Sequence, residues 1–237
     1  MTSGAPDPAL VAAIRARLAD VEARIAAACA RAGRARGDVT LVAVTKTHPA
    51  EVVAAAAAAG LAHVGENRVQ ELVAKRGALP DVPVAWHHIG RVQTNKARDL
   101  VRHADLVHGV ASLHAAEALA ARAAQSGRVL PVLVQVNVSG EASKDGVAPG
   151  DAADLVAAIG ALDALRLDGL MGIAAPSDDP EDARPAFRAL RTLRDALRTD
   201  ARPLPVLSMG MSDDAEVAIE EGATHVRIGS ALFGARG

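Results

Sequence analysis

The chain has 237 residues, half of them apolar, which is enough for one large domain or two small ones with a sizeable core. A net charge of −2 and an aromatic content of 1% argue against nucleic acid binding, and tyrosine is absent altogether. Cys29 is the only cysteine, which excludes an internal disulfide and a cysteine-rich zinc site. No apolar run suits a membrane span or a signal peptide, so we expect a cytoplasmic protein without membrane association.

The N-terminal segment has helical periodicity, because apolar residues recur at spacings of three and four between positions 8 and 32. Beyond it, short apolar runs alternate with helical segments. The pattern predicts strands at 39–45, 62–65, 84–90, 106–109, 132–138, 167–173, 206–209 and 225–229. It predicts helices at 49–59, 67–76, 94–102, 112–125, 149–161, 180–197 and 213–221, and a short one after Gly229.

Several of these strands are almost continuously apolar, which is typical of a parallel sheet buried on both faces. Eight strands alternating with helices predict an α/β fold, a single (β/α)8 TIM barrel with an extra N-terminal helix. An open doubly wound sheet is the alternative, because a strand count does not show closure. No linker or repeat divides the chain, so we predict one domain over 1–237, with the N-terminal helix and linker at 1–36 and the barrel at 37–237.

Lys46 follows the first predicted strand, and only four of the 26 basic residues are lysines. Lysine can lose its proton and form a Schiff base with a carbonyl compound, whereas arginine cannot. The alternative is an ordinary strand-end lysine whose amine reaches solvent.

Other polar residues also follow predicted strands, at the end of a barrel where active sites lie. Gly229 and Ser230 open the last short helix, where free N–H groups and a hydroxyl suit a phosphate, to which Ser208 could add a second hydroxyl. The alternative is a tight turn followed by an N-cap. Ser212 precedes two acidic residues and is predicted to cap a helix. His87 and His88 are adjacent, so they should point to opposite faces of a strand, and no metal motif is present.

A lysine and a phosphate site at one barrel mouth together suggest pyridoxal 5′-phosphate, with its aldehyde on Lys46 and its phosphate at Gly229 and Ser230. A lysine-dependent aldolase acting on a sugar phosphate shares these two features and stays open as the alternative.

Seven motifs, in order along the chain, resemble the pyridoxal phosphate homeostasis protein family (also called YggS/PROSC), which is related to the N-terminal domain of alanine racemase. They occupy 42–46, 65–71, 87–96, 136–146, 169–172, 207–212 and 226–234. The resemblance implies one barrel of pyridoxal phosphate fold type III and an internal aldimine on Lys46. It also implies a protein of vitamin B6 homeostasis that buffers or delivers the cofactor. The cofactor-binding residues implied are Lys46, Asn67, Met171, Ser208, Arg227, Gly229 and Ser230, with no metal.

Within this family the resemblance places Arg227 near the pyridine nitrogen, where it would keep the ring a weak electron sink. Racemisation needs an acid or base on each face of the α-carbon, and the tyrosine that serves alanine racemases is missing here. The sequence given ends at Gly237, just after the eighth strand, so we expect no racemase-type second domain. We therefore favour a carrier without strong catalysis over a racemase-like enzyme. We expect a monomer that passes cofactor to apo enzymes. Lys144 is expected to be an ordinary solvated loop lysine, and the alternative is a second lysine that accepts cofactor during transfer.

Overall fold

The computed structural model describes residues 5–140 and 145–234 of the chain. Its centre is a closed barrel in which every pair of neighbouring strands is parallel and the first strand pairs with the last. The strands are β1 (Thr40–Val44), β2 (His63–Glu66), β3 (Ala85–Arg91), β4 (Leu106–Val110), β5 (Leu130–Gln135), β6 (Leu165–Met171), β7 (Val206–Ser208) and β8 (His225–Ile228). The closed barrel is confirmed, and the open doubly wound sheet is wrong.

Helices cover the outside of the barrel, and most of them connect consecutive strands. They are α1 (Pro8–Arg31), α2 (Ala50–Ala58), α3 (Val69–Ala78), α4 (Ala97–His103), α5 (Leu113–Gln125), α6 (Ala152–Gly160), α7 (Arg184–Leu197), α8 (Ala215–Glu220) and α9 (Ser230–Phe233). The N-terminal helix α1 begins with Asp7, whose side chain accepts a hydrogen bond from the N–H of Ala9. It packs against α2, α8 and α9, beside the point where the barrel closes.

The fifth and sixth strands begin and end earlier than the sequence pattern predicts. β5 was expected to reach residue 138, but it ends at Gln135. The chain leaves the barrel after Val136, which still donates to the Met171 carbonyl and pairs with Val147. The N–H of Val147 donates to the Gln135 carbonyl, which fixes this exit. β6 starts at Leu165, where it pairs with Leu130, and it ends at Met171. Apolar continuity alone therefore misplaces both strands by two or three residues.

The interior of the barrel has an apolar side and a polar side. Leu106, Leu133 and Met171 are buried together, with Val206 packed against them, so β4 to β7 supply the apolar side. The polar side contains imidazoles from β2, β3, β4 and β8: His63, His87, His108 and His225. Side chains from four strands of a closed barrel meet only inside it, so His87 points inward. His88 lies on the opposite face and contacts the Arg91 carbonyl, which confirms the predicted alternation.

Burial of these rings holds them in the neutral form. Burial lowers the pKa of His87 to about 3 and the pKa values of His88 and His225 to about 4. Burial also lowers the pKa of His108 well below its usual value.

Among the helices of the described residues, none combines the length and the apolar character that a membrane span requires.

These pKa shifts predict that the folded protein loses stability as the pH falls from about 6.5 towards 4. In this range the unfolded chain binds protons that the folded chain does not, so the free energy of unfolding decreases with decreasing pH. Each such histidine contributes at most about 1.4 kcal/mol per pH unit. His88→Phe should reduce the slope of the unfolding free energy against pH by up to that amount, as measured by urea unfolding at several pH values. His114→Phe, which removes an exposed histidine, is the matched control, and equal slopes in all three proteins would contradict the prediction.

Candidate active site

Lys46 lies two residues after β1 and is half-buried, in a short turn with unusual backbone geometry. The next residue, Thr47, has a φ of 69°, in the left-handed region that β-branched residues rarely adopt. Its N–H donates to Glu71 Oε2 at 2.7 Å. Such a conformation persists only when the surrounding structure imposes it, and here a carboxylate on α3 does so.

A buried ion-pair network fixes Thr45, the residue that precedes Lys46. Lys75 Nζ donates to the Thr45 carbonyl at 2.8 Å and to Glu66 Oε1 at 2.7 Å. The Thr45 hydroxyl donates to the same Glu66 oxygen at 2.6 Å. Burial raises the pKa of Glu66, whereas the hydrogen bonds from Lys75 and Thr45 lower it. Lys75 Nζ also lies 3.3 Å from Glu71 Oε2. Lys75 therefore contacts the groups that fix both neighbours of Lys46, Thr45 and Thr47.

Lys46 opens into a cavity of about 280 Å³ at the carboxyl ends of the strands. The cavity contains side chains from both ends of the chain because β1 is paired with β8. It is lined by Val44, Lys46, His48, Asn67, Ile89, Ile173, Met211, Ser212, Asp213, Arg227, Gly229, Ser230 and Gly234.

Gly229 and Ser230 lie on one wall of this cavity, as the sequence predicted. A Cβ on Gly229 would lie 3.3 Å from the Val44 carbonyl oxygen, so the missing side chain allows a close approach to β1. Ser230 is the first residue of α9, which confirms the predicted short helix. Its hydroxyl donates to Ser212 Oγ at 3.0 Å, and the N–H of Gly229 points at the same oxygen at 3.4 Å.

Ser212 was predicted to cap α8, and that prediction is wrong. Asp214 is the residue at the N-cap position, and its carboxylate accepts a hydrogen bond from the N–H of Met211. Ser212 turns instead towards Gly229 and Ser230. The cavity therefore has two hydroxyls and a backbone N–H grouped on one wall, where the sequence identified only part of the group.

Arg227 brings a buried positive charge to the cavity. Its Nη1 donates to Ser208 Oγ at 2.6 Å and its Nη2 to the Gly172 carbonyl at 3.1 Å. Burial lowers the pKa of Arg227 to about 10, so the guanidinium stays charged at neutral pH. No carboxylate of the described residues forms an ion pair with it. Ser208 is fully buried and reaches the cavity through Arg227.

The remaining predicted site residues divide between the cavity and the core. Asn67 follows β2 and lines the cavity, and a Cβ on Gly90 would lie 2.2 Å from the Asn67 carbonyl oxygen, so only glycine lets the two strands approach there. Met171 is in the apolar barrel interior and is not among the residues that line the cavity. Lys144 lies outside the described residues.

The four interior imidazoles do not form a metal site. The ring nitrogens of His63, His87 and His108 face one another at 2.9–3.0 Å instead of converging on one point. In the described ranges no group of three or more His, Cys, Asp or Glu side chains could hold a metal ion.

Comparisons with known proteins decide the family. The alanine racemase N-terminal domain family matches residues 17–237. The pyridoxal phosphate homeostasis protein of Pseudomonas aeruginosa is 48% identical over 223 residues, which cover 94% of this chain and 96% of that protein. The protein of the same name from Aquifex aeolicus is 46% identical over 221 residues, 93% of this chain and 97% of that protein. The chain belongs to the pyridoxal phosphate homeostasis protein family. The resemblance seen in the seven motifs is thereby confirmed.

Solved structures of other proteins share this fold. PipY of Synechococcus elongatus, in a structure with pyridoxal phosphate bound, superimposes with a TM-score of 0.80 at 36% identity, covering 93% of this chain and 99% of that chain. Alanine racemase of Clostridium difficile gives a TM-score of 0.72 at 16% identity, covering 84% of this chain and 56% of that chain, which shows a shared fold alone.

The network around Lys46 predicts a large loss of stability when Lys75 is removed. Lys75→Met leaves Glu66 buried without its cation, and breaking such a pair costs about 3–5 kcal/mol. Urea unfolding at neutral pH measures this loss. Lys96→Met is the matched control, because Lys96 is half-buried but has no ion pair within the described residues. A loss below about 1 kcal/mol, as for exposed pairs, would show that the network does not hold the turn.

Proposed function

We propose that this protein binds pyridoxal 5′-phosphate covalently through Lys46 and acts in the storage and delivery of the cofactor. The observation that carries the proposal is the shared cavity of Lys46, Arg227 and the Gly229–Ser230 turn, in a chain of the pyridoxal phosphate homeostasis protein family. As parts of the same proposal, it is a cytoplasmic monomer that supplies apo forms of pyridoxal phosphate enzymes.

The cavity fits the cofactor in size and in chemistry. Its volume of about 280 Å³ is near the lower end of the range for small-molecule sites, roughly 300–1,000 Å³. The cofactor has an aldehyde, an aromatic ring and a phosphate. Lys46 supplies an amine, Ile89, Ile173 and Met211 supply apolar surface, and the turn before α9 supplies hydrogen-bond donors. Two of the apolar residues, Ile173 and Met211, are exposed, which suits a wall that a ring would cover.

The roles of the individual residues follow from this arrangement. Lys46 would bond to the cofactor aldehyde, and its amine is available because none of the described carboxylates forms an ion pair with it. Gly229, Ser230 and Ser212 would hold the phosphate, and Asn67 would contact the ring from β2. Arg227 would lie against the ring nitrogen, and its guanidinium would donate a hydrogen bond without giving up its proton. When bound, the cofactor supplies electrophilic chemistry whose strength depends on that ring nitrogen.

The same residues favour a carrier over a racemase. Arg227 beside the ring nitrogen would leave that nitrogen unprotonated, which would weaken the ring as an electron sink. The chain also has no tyrosine to serve as the second acid or base of an alanine racemase.

Lys46→Ala should abolish the absorbance that a covalently bound cofactor shows near the visible edge, because neither of the other two lysines that the structure describes, Lys75 and Lys96, lines the cavity. Borohydride reduction of the unsubstituted protein, followed by peptide mapping, should place the label on Lys46. Lys96→Ala is the control and should keep the spectrum. A label on another lysine, or an unchanged spectrum in Lys46→Ala, would contradict the assignment.

The double variant Ser212→Ala/Ser230→Ala should bind pyridoxal 5′-phosphate less tightly. Hydrogen bonds to a charged group contribute about 1.5–3 kcal/mol each, so the affinity should fall at least tenfold. The affinity for pyridoxal, which lacks the phosphate, should change little. Equilibrium titration of both compounds separates the effects, and equal losses for both would show that these serines do not contact the phosphate.

The carrier function predicts negligible conversion of L- or D-alanine by the cofactor-loaded protein, followed by chiral chromatography. It also predicts that the loaded protein restores activity to an apo enzyme that depends on pyridoxal phosphate. Racemisation at ordinary enzyme rates, about 1–10³ per second, would favour the racemase-like alternative.

A further inference from the structure

A continuous line of hydrogen bonds crosses the barrel interior from β2 to the cavity. His63 Nδ1 is 3.0 Å from His87 Nε2, and His87 Nδ1 is 2.9 Å from His108 Nε2. His108 Nδ1 is 2.9 Å from Ser208 Oγ, which also accepts the hydrogen bond from Arg227. The line therefore runs from His63, the half-buried first residue of β2, to the guanidinium that lines the cavity.

The chemistry of neutral imidazole makes this line directional. A neutral ring has one N–H and one bare nitrogen, so it donates on one side and accepts on the other. Each contact between two rings joins Nδ1 of one ring to Nε2 of the next and has room for one hydrogen. His63, His87 and His108 must therefore share the same tautomer, and the line has two possible directions.

The two directions differ at Ser208. In the first, the Ser208 hydroxyl donates to His108 Nδ1, and its hydrogen is used inside the barrel. In the second, His108 Nδ1 donates to Ser208 Oγ, which then accepts two hydrogen bonds, one of them from Arg227. The hydroxyl hydrogen is then available to another acceptor.

We propose that His63, His87 and His108 form a relay of coupled tautomers that ties the direction of the Ser208 hydroxyl, beneath the cavity, to the position of the proton on His63 at the other end of the barrel. The relay itself is independent of the ligand, and only its response to cofactor binding rests on the proposed function. The histidines are positioning residues, since they act on the cavity through Ser208 and Arg227.

The two directions contain the same hydrogens. In each, every one of the three rings carries one N–H and Ser208 carries one O–H, so a change of direction involves no net gain or loss of protons by the line. The three rings change together between the Nδ1–H and the Nε2–H tautomer, and the Ser208 hydroxyl turns towards His108 Nδ1 or away from it.

The surroundings keep the rings of the relay neutral. His225 packs near His87 and His108, with ring centroids 6.1 and 6.3 Å away, and Thr224 hydrogen-bonds to it. Besides burial, the neighbouring His87 and the charge of Arg227 lower the pKa of His108. No carboxylate within the described ranges hydrogen-bonds to a relay ring, so nothing there holds a ring in its charged form.

The first test is the tautomer of each ring in the unsubstituted, cofactor-free protein, measured by two-dimensional ¹⁵N–¹H NMR on protein labelled at histidine. We expect His63, His87 and His108 to show the same tautomer. A different tautomer on any one of them would overturn the relay, because it would place two hydrogens or none in a single contact. This test needs no variant and is decisive even if the variants below do not fold.

The second test is the response of His63 to changes at the cavity. Ser208→Ala, without cofactor, should shift the ring nitrogen resonances of His63 as well as those of His108. With His87→Phe added, the shift should remain at His108 and disappear at His63. His88→Phe is the matched control, because His88 is equally buried on the same strand but lies outside the line, and it should leave the response at His63 intact. A shift at His108 with none at His63 in Ser208→Ala would overturn the coupling.

Added pyridoxal 5′-phosphate then separates this proposal from the proposed function. Cofactor binding is read from the absorbance and the relay from the His63 resonances. Cofactor binding that shifts the His63 resonances in the unsubstituted protein but not in His87→Phe supports both proposals. Binding without any response at His63 overturns the relay alone. Failure to bind overturns the proposed function alone, and the two tests without cofactor still decide the relay.

Discussion

The parallel pairing of β1 with β8 is the constraint on which the site depends. Val42 pairs with Arg227 and Ala43 with Ile228, so Lys46 and Gly229 follow from adjacent strands although they lie at opposite ends of the chain. A one-residue slip in this register would turn Arg227 out of the barrel, because successive side chains on a strand point to opposite faces. Gly229 allows the chain after β8 to lie close to β1 in this register, since a side chain at this position would face the Val44 carbonyl. Closure of the barrel and assembly of the site are therefore one event.

The polar half of the barrel interior is the second consequence of this closure. Burying polar groups without partners is costly, and a barrel of this size is usually filled with branched apolar residues. Here each histidine of the line satisfies the next, and the last satisfies a serine that also binds a buried cation. Removal of one member leaves its neighbours without a hydrogen-bond partner, which makes the interior specific to one arrangement of strands. The apolar cluster around Leu133 fills the other side of the barrel without hydrogen bonds.

The sequence was sufficient to predict the barrel, Lys46 and the Gly229–Ser230 turn, because each leaves a local signal. The strands are apolar runs, a lysine follows the first of them, and the turn contains Gly-Ser at the start of a helix. Ser212 was misread because the acids beside it are also typical of a helix N-terminus. The histidine line was not predicted because its members come from separate strands, and only the barrel register brings them together. The exit of β5 depends on pairing with Val147, a contact that no apolar pattern encodes.

Lys46 and Lys75 lie close together but have opposite properties. Lys75 is surrounded by Glu66, Glu71 and a carbonyl oxygen, so its charge is balanced and its amine is occupied. Lys46 forms no ion pair with the described residues, and the turn that contains it is fixed on both sides by the groups that Lys75 holds. Among the charged residues that line the cavity, Arg227 is the buried one, and it keeps its proton. A site with an available amine, a permanently charged arginine and no tyrosine is suited to attach a cofactor and release it unchanged. Racemisation of the alanine racemase type would need an acid or base on each face of the α-carbon, and the chain has no tyrosine to serve as one of them.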